Sequence, residues 1–227
     1  MQKYKKISVP VVRRLPRYYR FLQELKNNGV SRISSKALAE KMGTTASQIR
    51  QDLNCFGGFG QQGYGYDVPR LYEEIGSILG LNNRYGAILL GVGNLGRAVV
   101  NHVDFEGRGF RLIGVFDISP DVVGTVVNGI TVLPVSGLDE FCASHKVDAA
   151  VLCLPKESAE VCAEILYECG VRCFWNFSSY DISMKYKDII SENVHLGDSL
   201  MTLCYRVTSR NASEARQDTN ASETPLK

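Results

Sequence analysis

The feature that most constrains this chain is a short glycine-rich run, Gly91-Val92-Gly93-Asn94-Leu95-Gly96, which directly follows the apolar stretch YGAILL and directly precedes an amphipathic one. Glycines at this spacing in a strand-to-helix turn make a place for a pyrophosphate. The first permits the tight turn, the second lets phosphate approach the backbone, the third packs helix on strand, and the helix amides supply donors. A second apolar run, FRLIGVFD, ends at Asp117, 21 residues beyond Gly96. A carboxylate there accepts from the adenosine ribose hydroxyls and repels a 2′-phosphate, which favours NAD over NADP. The competing reading is purely architectural: glycines that only pack a helix and an Asp that only caps a loop.

The pattern around this run alternates strands and helices. After YGAILL come a helix from about Asn94 to Phe105, the strand FRLIGVFD, a strand near Ile130 to Leu133, DAAVLCLP, a helix from Ser158 to Glu168, and VRCFWNF. Such alternation predicts a parallel sheet with both faces covered, an α/β Rossmann-type domain over residues 81–197. Residues 198–208, DSLMTLCYRVT, predict one further helix capped by Asp198, with an apolar face that needs a packing partner. The polar residues 209–227 are expected to be disordered.

Residues 1–80 follow different rules. Ser8 is placed to cap a helix from about Val9 to Asn27, with Leu15, Tyr18, Leu22 and Leu25 at helical spacing and Gly29 ending it. Pro16 removes a backbone donor there and is expected to kink or restart the helix. Ser34 or Ser35 then caps a short helix through Met42, Gly43 turns the chain, and a second helix follows from about Thr45 to Asn54. This is a helix-turn-helix candidate. FGGFGQQGYGYDV, glycines alternating with aromatics, predicts a β-hairpin wing, and residues 68–80 predict a connecting helix before a boundary at Leu81–Arg84.

Charge separates the two halves. Residues 1–80 carry thirteen basic against six acidic side chains, a net of +7, whereas the remainder carries thirteen against eighteen, a net of −5. The N-terminal domain therefore presents a surface that seeks a polyanion. In the second helix of the motif Thr44, Thr45, Ser47, Gln48, Arg50 and Gln51 present hydrogen-bonding groups while Ala46, Ile49 and Leu53 face inward, the polarity of a helix that reads a major groove. Arg50 is the side chain best suited to a base edge; Arg13, Arg14, Arg17, Lys3, Lys5 and Lys6 are suited to phosphates.

Other classes recede. No uncharged apolar run reaches the ~18 residues of a membrane span, and the basic N-terminus lacks a signal peptide's apolar core. The seven cysteines are odd in number and never form CxxC, which fits reduced thiols in a cytoplasm and no metal site.

RLPRYYRFLQEL, ISSKALAEKMG, QIRQDL, FGGFGQQGYGY, GVGNLG, Phe116-Asp117 and Asn176-Phe177, in that order, strongly resemble the Rex family of bacterial redox-sensing repressors. The resemblance spans about Ser8 to Val207. It implies a winged helix-turn-helix repressor that senses NADH against NAD+, is released from a palindromic operator by NADH, and controls fermentative and respiratory genes. It further implies a homodimer in which each C-terminal helix crosses to the partner. The implied nucleotide positions are Gly91, Val92, Gly93, Asn94, Leu95, Gly96, Asp117, Pro155 and Asn176; the implied DNA positions are Arg13, Arg17, Thr45, Ser47, Arg50, Gln51, Phe59, Gly60, Gln61 and Tyr64.

The chain departs from that pattern at two places. Relatives commonly carry Lys where Gln51 stands, and Lys or Arg where Gln61 and Gln62 stand, so operator binding is expected to depend less steeply on salt. Positions that in many relatives hold an Asp and a Tyr forming a ligand-dependent pair align with His195, followed by Leu196, and with His102. Either the two imidazoles meet across the dimer and make the switch pH-dependent, or they are unrelated surface groups. Two rival functions stand beside the repressor: a DNA-binding regulator sensing another nucleotide, such as an adenosine phosphate or a coenzyme A thioester, and an NAD-dependent dehydrogenase. The second lacks chain length for a substrate domain.

Overall fold

The computed structural model describes residues 7–56, 60–61 and 64–222. The chain divides into two compact units, Met1–Arg84 with Glu106–Phe110, and Tyr85–Phe105 with Arg111–Lys227.

The first unit opens on α1 (Val9–Asn27), then β1 (Arg32–Ile33), α2 (Ser35–Met42) and α3 (Ala46–Asn54). β2 (Gly60–Gln61), β3 (Gly65–Asp67) and α4 (Val68–Ile78) complete it. Helix α1 has the expected bounds, with Ser8 at its N-cap position but no side-chain capping bond. Pro16 neither divides nor restarts it: the ring lies on the exposed face, and Leu15, Tyr18, Leu22 and Leu25 are buried on the other. Apolar anchoring on both sides of the missing donor outweighs its loss, although an interior proline costs ~3 kcal/mol in an isolated helix. Ser34 caps α2 by accepting from the Ala37 amide and Thr45 caps α3 by accepting from the Gln48 amide. Gly43, at φ 59°, turns the chain between the two helices.

The expected wing is a three-stranded antiparallel sheet in the order β1-β3-β2, with Arg32 opposite Asp67 and Gly60 opposite Tyr66. Its two-residue first strand carries too short a pattern to be read from sequence. Gly65, at φ 72°, passes so close to β1 that a Cβ would lie 2.6 Å from the Ile33 carbonyl oxygen. Leu15, Leu22, Leu38, Ile49, Leu53, Leu71 and Ile75 form the core beneath.

The second unit holds β4 (Tyr85–Leu90), α5 (Asn94–His102), β5 (Phe110–Asp117), β6 (Val126–Val127), β7 (Ile130–Pro134), α6 (Leu138–Ser144) and β8 (Ala149–Leu152). α7 (Lys156–Glu168), β9 (Cys173–Asn176), α8 (Ile182–Lys185), β10 (Ile190–Asn193) and α9 (Leu196–Ser222) follow. The strand order is β10-β9-β8-β4-β5-β7-β6, with β6 antiparallel at one edge and the pairs β10·β9, β9·β8, β8·β4 and β5·β7 parallel. This is the doubly wound order of a dinucleotide-binding sheet, reversing beside β4. The central strands β4 and β8 and the second half of β5 are buried, Ile88, Leu90, Phe116, Ala150 and Leu152 fully so, because helices cover both faces there, whereas edge strand β10 is largely exposed.

The C-terminal helix differs from the sequence expectation. It begins at Leu196, two residues before Asp198, and continues to Ser222, so residues 209–222 are helical rather than disordered. No Gly or Pro interrupts this stretch before Pro225, and Arg210 pairs with Glu214 one turn on, 2.7 Å apart. Leu196, Leu200, Leu203 and Val207 recur along one stripe of α9 and each is more than half exposed.

Candidate nucleotide site and nucleic-acid interface

Four of the sequence-selected positions converge because each ends a strand or follows one. Asp117 ends β5, Gly91 follows β4, Pro155 follows β8 by three residues, and Asn176 ends β9. These are neighbouring strands in the order β5-β4-β8-β9, so the residues line the carboxyl edge of the sheet around its reversal point. Ligands bind open α/β sheets at that edge.

The three glycines have separable causes. Gly91 adopts φ 93°, and a Cβ there would run into the Cys153 carbonyl oxygen. A Cβ on Gly96 would strike the Gly91 carbonyl oxygen, so the absence of a side chain lets α5 close onto the loop. Gly93 is the N-cap of α5 at φ −69°, and a Cβ there would meet nothing within 4 Å. Strain explains the first and packing the third. The second leaves open space over the helix N-terminus, where Asn94 and Leu95 are also exposed.

Asp117 is 9% exposed and tied to the same loop: Oδ2 accepts from the Val92 amide at 2.6 Å and Oδ1 from the Ser119 amide at 2.8 Å. The Val92 carbonyl accepts from Arg97 Nε at 3.0 Å, so both backbone groups of Val92 are held. Anion-ready amides, an unobstructed second glycine and a fixed carboxylate one strand away suit the pyrophosphate and ribose of a dinucleotide.

Asn176 has a different environment from the one expected of a ligand contact. It is fully buried; Nδ2 donates to the Tyr180 carbonyl at 2.7 Å and to Asn193 Oδ1 at 3.0 Å, and Oδ1 accepts from the Ser178 amide and hydroxyl at 3.0 and 2.6 Å. Its hydrogen bonds brace the loop after β9 against β10. Pro155 is the exposed N-cap of α7. His102 ends α5 and His195 immediately precedes Leu196 and α9; both imidazoles are exposed and no hydrogen bond joins them within one chain.

On the N-terminal unit Ser47, Arg50 and Gln51 lie exposed on α3, and Arg13 and Arg17 are exposed on α1. Thr45 serves as the α3 cap, and Arg50 Nη1 donates to Ser35 Oγ at 3.1 Å, which draws it toward α2. Tyr64, in the turn between β2 and β3, is 69% exposed, with the Arg32 guanidinium over its ring at 6.0 Å. Gly60 and Gln61 form β2, while Phe59, Gln62 and Lys3, Lys5 and Lys6 lie outside the described residues.

Arg14 and Gln48, two polar residues expected to face DNA, turn toward Asp52 instead. Asp52 is 1% exposed; its Oδ2 accepts from Arg14 Nε at 2.7 Å and Tyr18 Oη at 2.9 Å, and its Oδ1 from Arg14 Nη2 at 2.7 Å and Gln48 Nε2 at 2.8 Å. Burial pushes the Asp52 carboxyl up, but the bonds from Arg14, Tyr18 and Gln48 outweigh it and hold the group below the usual carboxylate range. A bare charge-and-polarity count does not identify this network; an acid among the apolar positions Ile49 and Leu53 of α3 is the signal that does.

Among the described residues no cluster of three or more His, Cys, Asp or Glu could hold a metal, and no helix is long and apolar enough to cross a membrane. All seven cysteines are free, and burial pushes the Cys153 thiol, just beyond β8, up to about 12.

Residues 6–54 match the family described as putative DNA-binding protein N-terminus, and residues 82–180 match the CoA binding domain family. Over 207 residues the chain is 51% identical to the redox-sensing transcriptional repressor Rex of Thermoanaerobacter pseudethanolicus, covering 91% of this chain and 92% of that one. Among solved structures, RSP in complex with beta-NAD+ and operator DNA is similar at a TM-score of 0.84 and 47% identity, covering 97% of this chain and 100% of that one. RSP in complex with beta-NADH gives 0.84 and 45%, with 93% and 99% covered.

Proposed function

Because the chain belongs to the Rex family of redox-sensing transcriptional repressors, we propose that it is a DNA-binding repressor governed by the NADH/NAD+ ratio. The observation that carries this reading is the union, in one chain, of an exposed α3 in a basic winged helix-turn-helix with a Gly91-Gly93-Gly96-Asp117 dinucleotide site. Its relatives are named as repressors. Nucleotide therefore acts as an effector: NADH and NAD+ shift an equilibrium between DNA-competent and DNA-incompetent states by binding them with different affinity, and no turnover is required.

The nucleotide contacts in this reading are the backbone amides from Gly93 to Gly96, the Gly93 opening, the Asp117 carboxylate and the Pro155 turn; Val92, whose amide is committed to Asp117, shapes the loop, and Asn176 acts from behind by fixing its own. Arg13, Arg17, Ser47, Arg50, Gln51, Tyr64 and the wing meet DNA, with Phe59 and Gln61 assigned by family pattern alone. The apolar stripe on α9 supports a homodimer in which that helix docks on a second copy, matching the two-fold symmetry of a palindromic operator. His102 and His195, exposed and unjoined within one chain, are in this reading a ligand-sensitive pair across such a dimer, the alternative being two unrelated surface imidazoles. Seven free thiols fit a reducing cytoplasm.

Competition gel shifts on one operator test the reading. NADH should release the DNA, and NAD+ should not. Release by ATP or by a coenzyme A thioester, with NADH inert, would instead support the other-nucleotide reading, which the CoA binding domain match over residues 82–180 keeps in view.

A further inference from the structure

A helix that reads bases must be fixed in rotation as well as in place. The helix radius with side chains is about 5 Å, so a rotation of about 20° moves a side-chain tip by about 2 Å. That exceeds the window of a hydrogen bond to a base edge. The inward face of α3 offers Ile49 and Leu53, whose apolar contacts hold the helix down but are not directional. The Asp52 network is directional. Arg14 presents its planar fork to both carboxylate oxygens at 2.7 Å, and Tyr18, one turn further along α1, adds a bond to Oδ2. The same carboxylate draws Gln48 inward across one turn of α3, leaving Ser47, Arg50 and Gln51 outside.

We propose that Asp52 is a positioning residue for operator readout. Its carboxylate, with Arg14 and Tyr18, sets the rotation of α3 about its own axis and so decides which side chains reach the bases, while Gln48 is withdrawn from readout. The inference rests on the repressor reading and adds to it where sequence discrimination is encoded: in a buried bond set behind the helix as well as on its exposed face. Exchanging the pair for apolar groups removes the directional bonds together, which destabilises less than removing one partner alone; the Tyr18 hydroxyl loses its acceptor in the exchange, so folding is controlled directly.

The test is selection of duplexes from a randomised pool by the full chain, comparing the wild type with the double variant Arg14→Met, Asp52→Leu. Unchanged helical circular dichroism verifies that the helical unit carrying the exchange is folded, and an NADH affinity within about twofold that the nucleotide unit is. The expected result is a motif with base preferences lost or moved under α3. The wild-type motif should bind about tenfold or more weakly, while random duplex at the same salt changes less than about threefold. If the double variant does not fold, Arg14→Lys, which keeps the charge and loses the fork, is read the same way. Selection of the wild-type motif with undiminished preference would overturn the proposal, and so would equal loss of affinity for motif and random DNA. A wild-type chain that selects no motif would remove the repressor reading and the proposal with it; failure confined to the variants leaves that reading standing.

Discussion

The Asp117 carboxylate holds the Val92 amide at 2.6 Å, so the acid that would meet the ribose also anchors the phosphate loop. Replacing it therefore disturbs two functions that one variant can separate. Asp117→Asn keeps the size but exchanges a charged acceptor for a neutral one. It should weaken NADH binding about 10-fold or more while narrowing the preference for NADH over NADPH, since the charge that repels a 2′-phosphate is gone. Fluorescence titrations with both nucleotides check this; an unchanged NADH/NADPH ratio would place the 2′ position away from Asp117.

The glycine trio makes a contrast within one loop. Gly91→Ala meets a backbone oxygen at positive φ, and Gly96→Ala meets the Gly91 carbonyl, so each should destabilise the nucleotide unit by about 2 kcal/mol or more. Gly93→Ala meets nothing and has an ordinary φ. It should leave thermal unfolding nearly unchanged yet weaken NADH, because the new methyl occupies the phosphate approach.

Gln51 is exposed on α3 and uncharged. Gln51→Lys should steepen the log–log salt dependence of operator binding by about one unit, the contribution of one added phosphate contact. Anisotropy titrations over a range of salt concentrations measure the slope; no change would mean that this position faces no phosphate.

Cys204 lies exposed among Leu200, Leu203 and Val207 in the single chain. In the proposed dimer it becomes slow to label. Leu200→Glu with Leu203→Glu should yield a monomer by light scattering and restore fast labelling. Fast labelling of a dimeric wild type would show that another surface holds the dimer together.

Acid titration follows from the lowered Asp52 carboxyl. A folded value below the unfolded one gives stability that is present above the unfolded range near ~4 and is lost as pH falls through the folded value. The DNA-binding unit should therefore lose stability below about pH 4. Asp52→Asn should be less stable at neutral pH and show a flatter dependence, read from unfolding midpoints between about pH 3 and 6.

Long periodic elements were legible in advance. Helix α1, the Ser34 and Thr45 caps, β4 and the turn into α5 all follow from apolar spacing and local chemistry that needs no distant partner. The family pattern reached the carboxyl-edge residues. What sequence reasoning missed depends on tertiary pairing: two-residue β1 exists only because β3 lies beside it, and β10 only because β9 does. Gln48 and Arg14 were assigned outward because polarity was counted without asking what Asp52, set among apolar positions, would need. Asn176, which the family pattern places at the ligand, donates to Tyr180 and to Asn193 on β10 and accepts from Ser178, a bracing that only the fold reveals.

The membership of Glu106–Phe110 in the N-terminal unit bears on how such a protein can be taken apart or recombined. Gly109 comes so close to Gly80 that a Cβ would lie 2.8 Å from the Gly80 carbonyl oxygen, so the end of the connecting helix is finished by residues encoded well downstream of it. A gene fragment stopping near codon 80 would specify a DNA reader with part of its own surface missing. The two modules are therefore not cassettes that a single cut near residue 80 would separate cleanly.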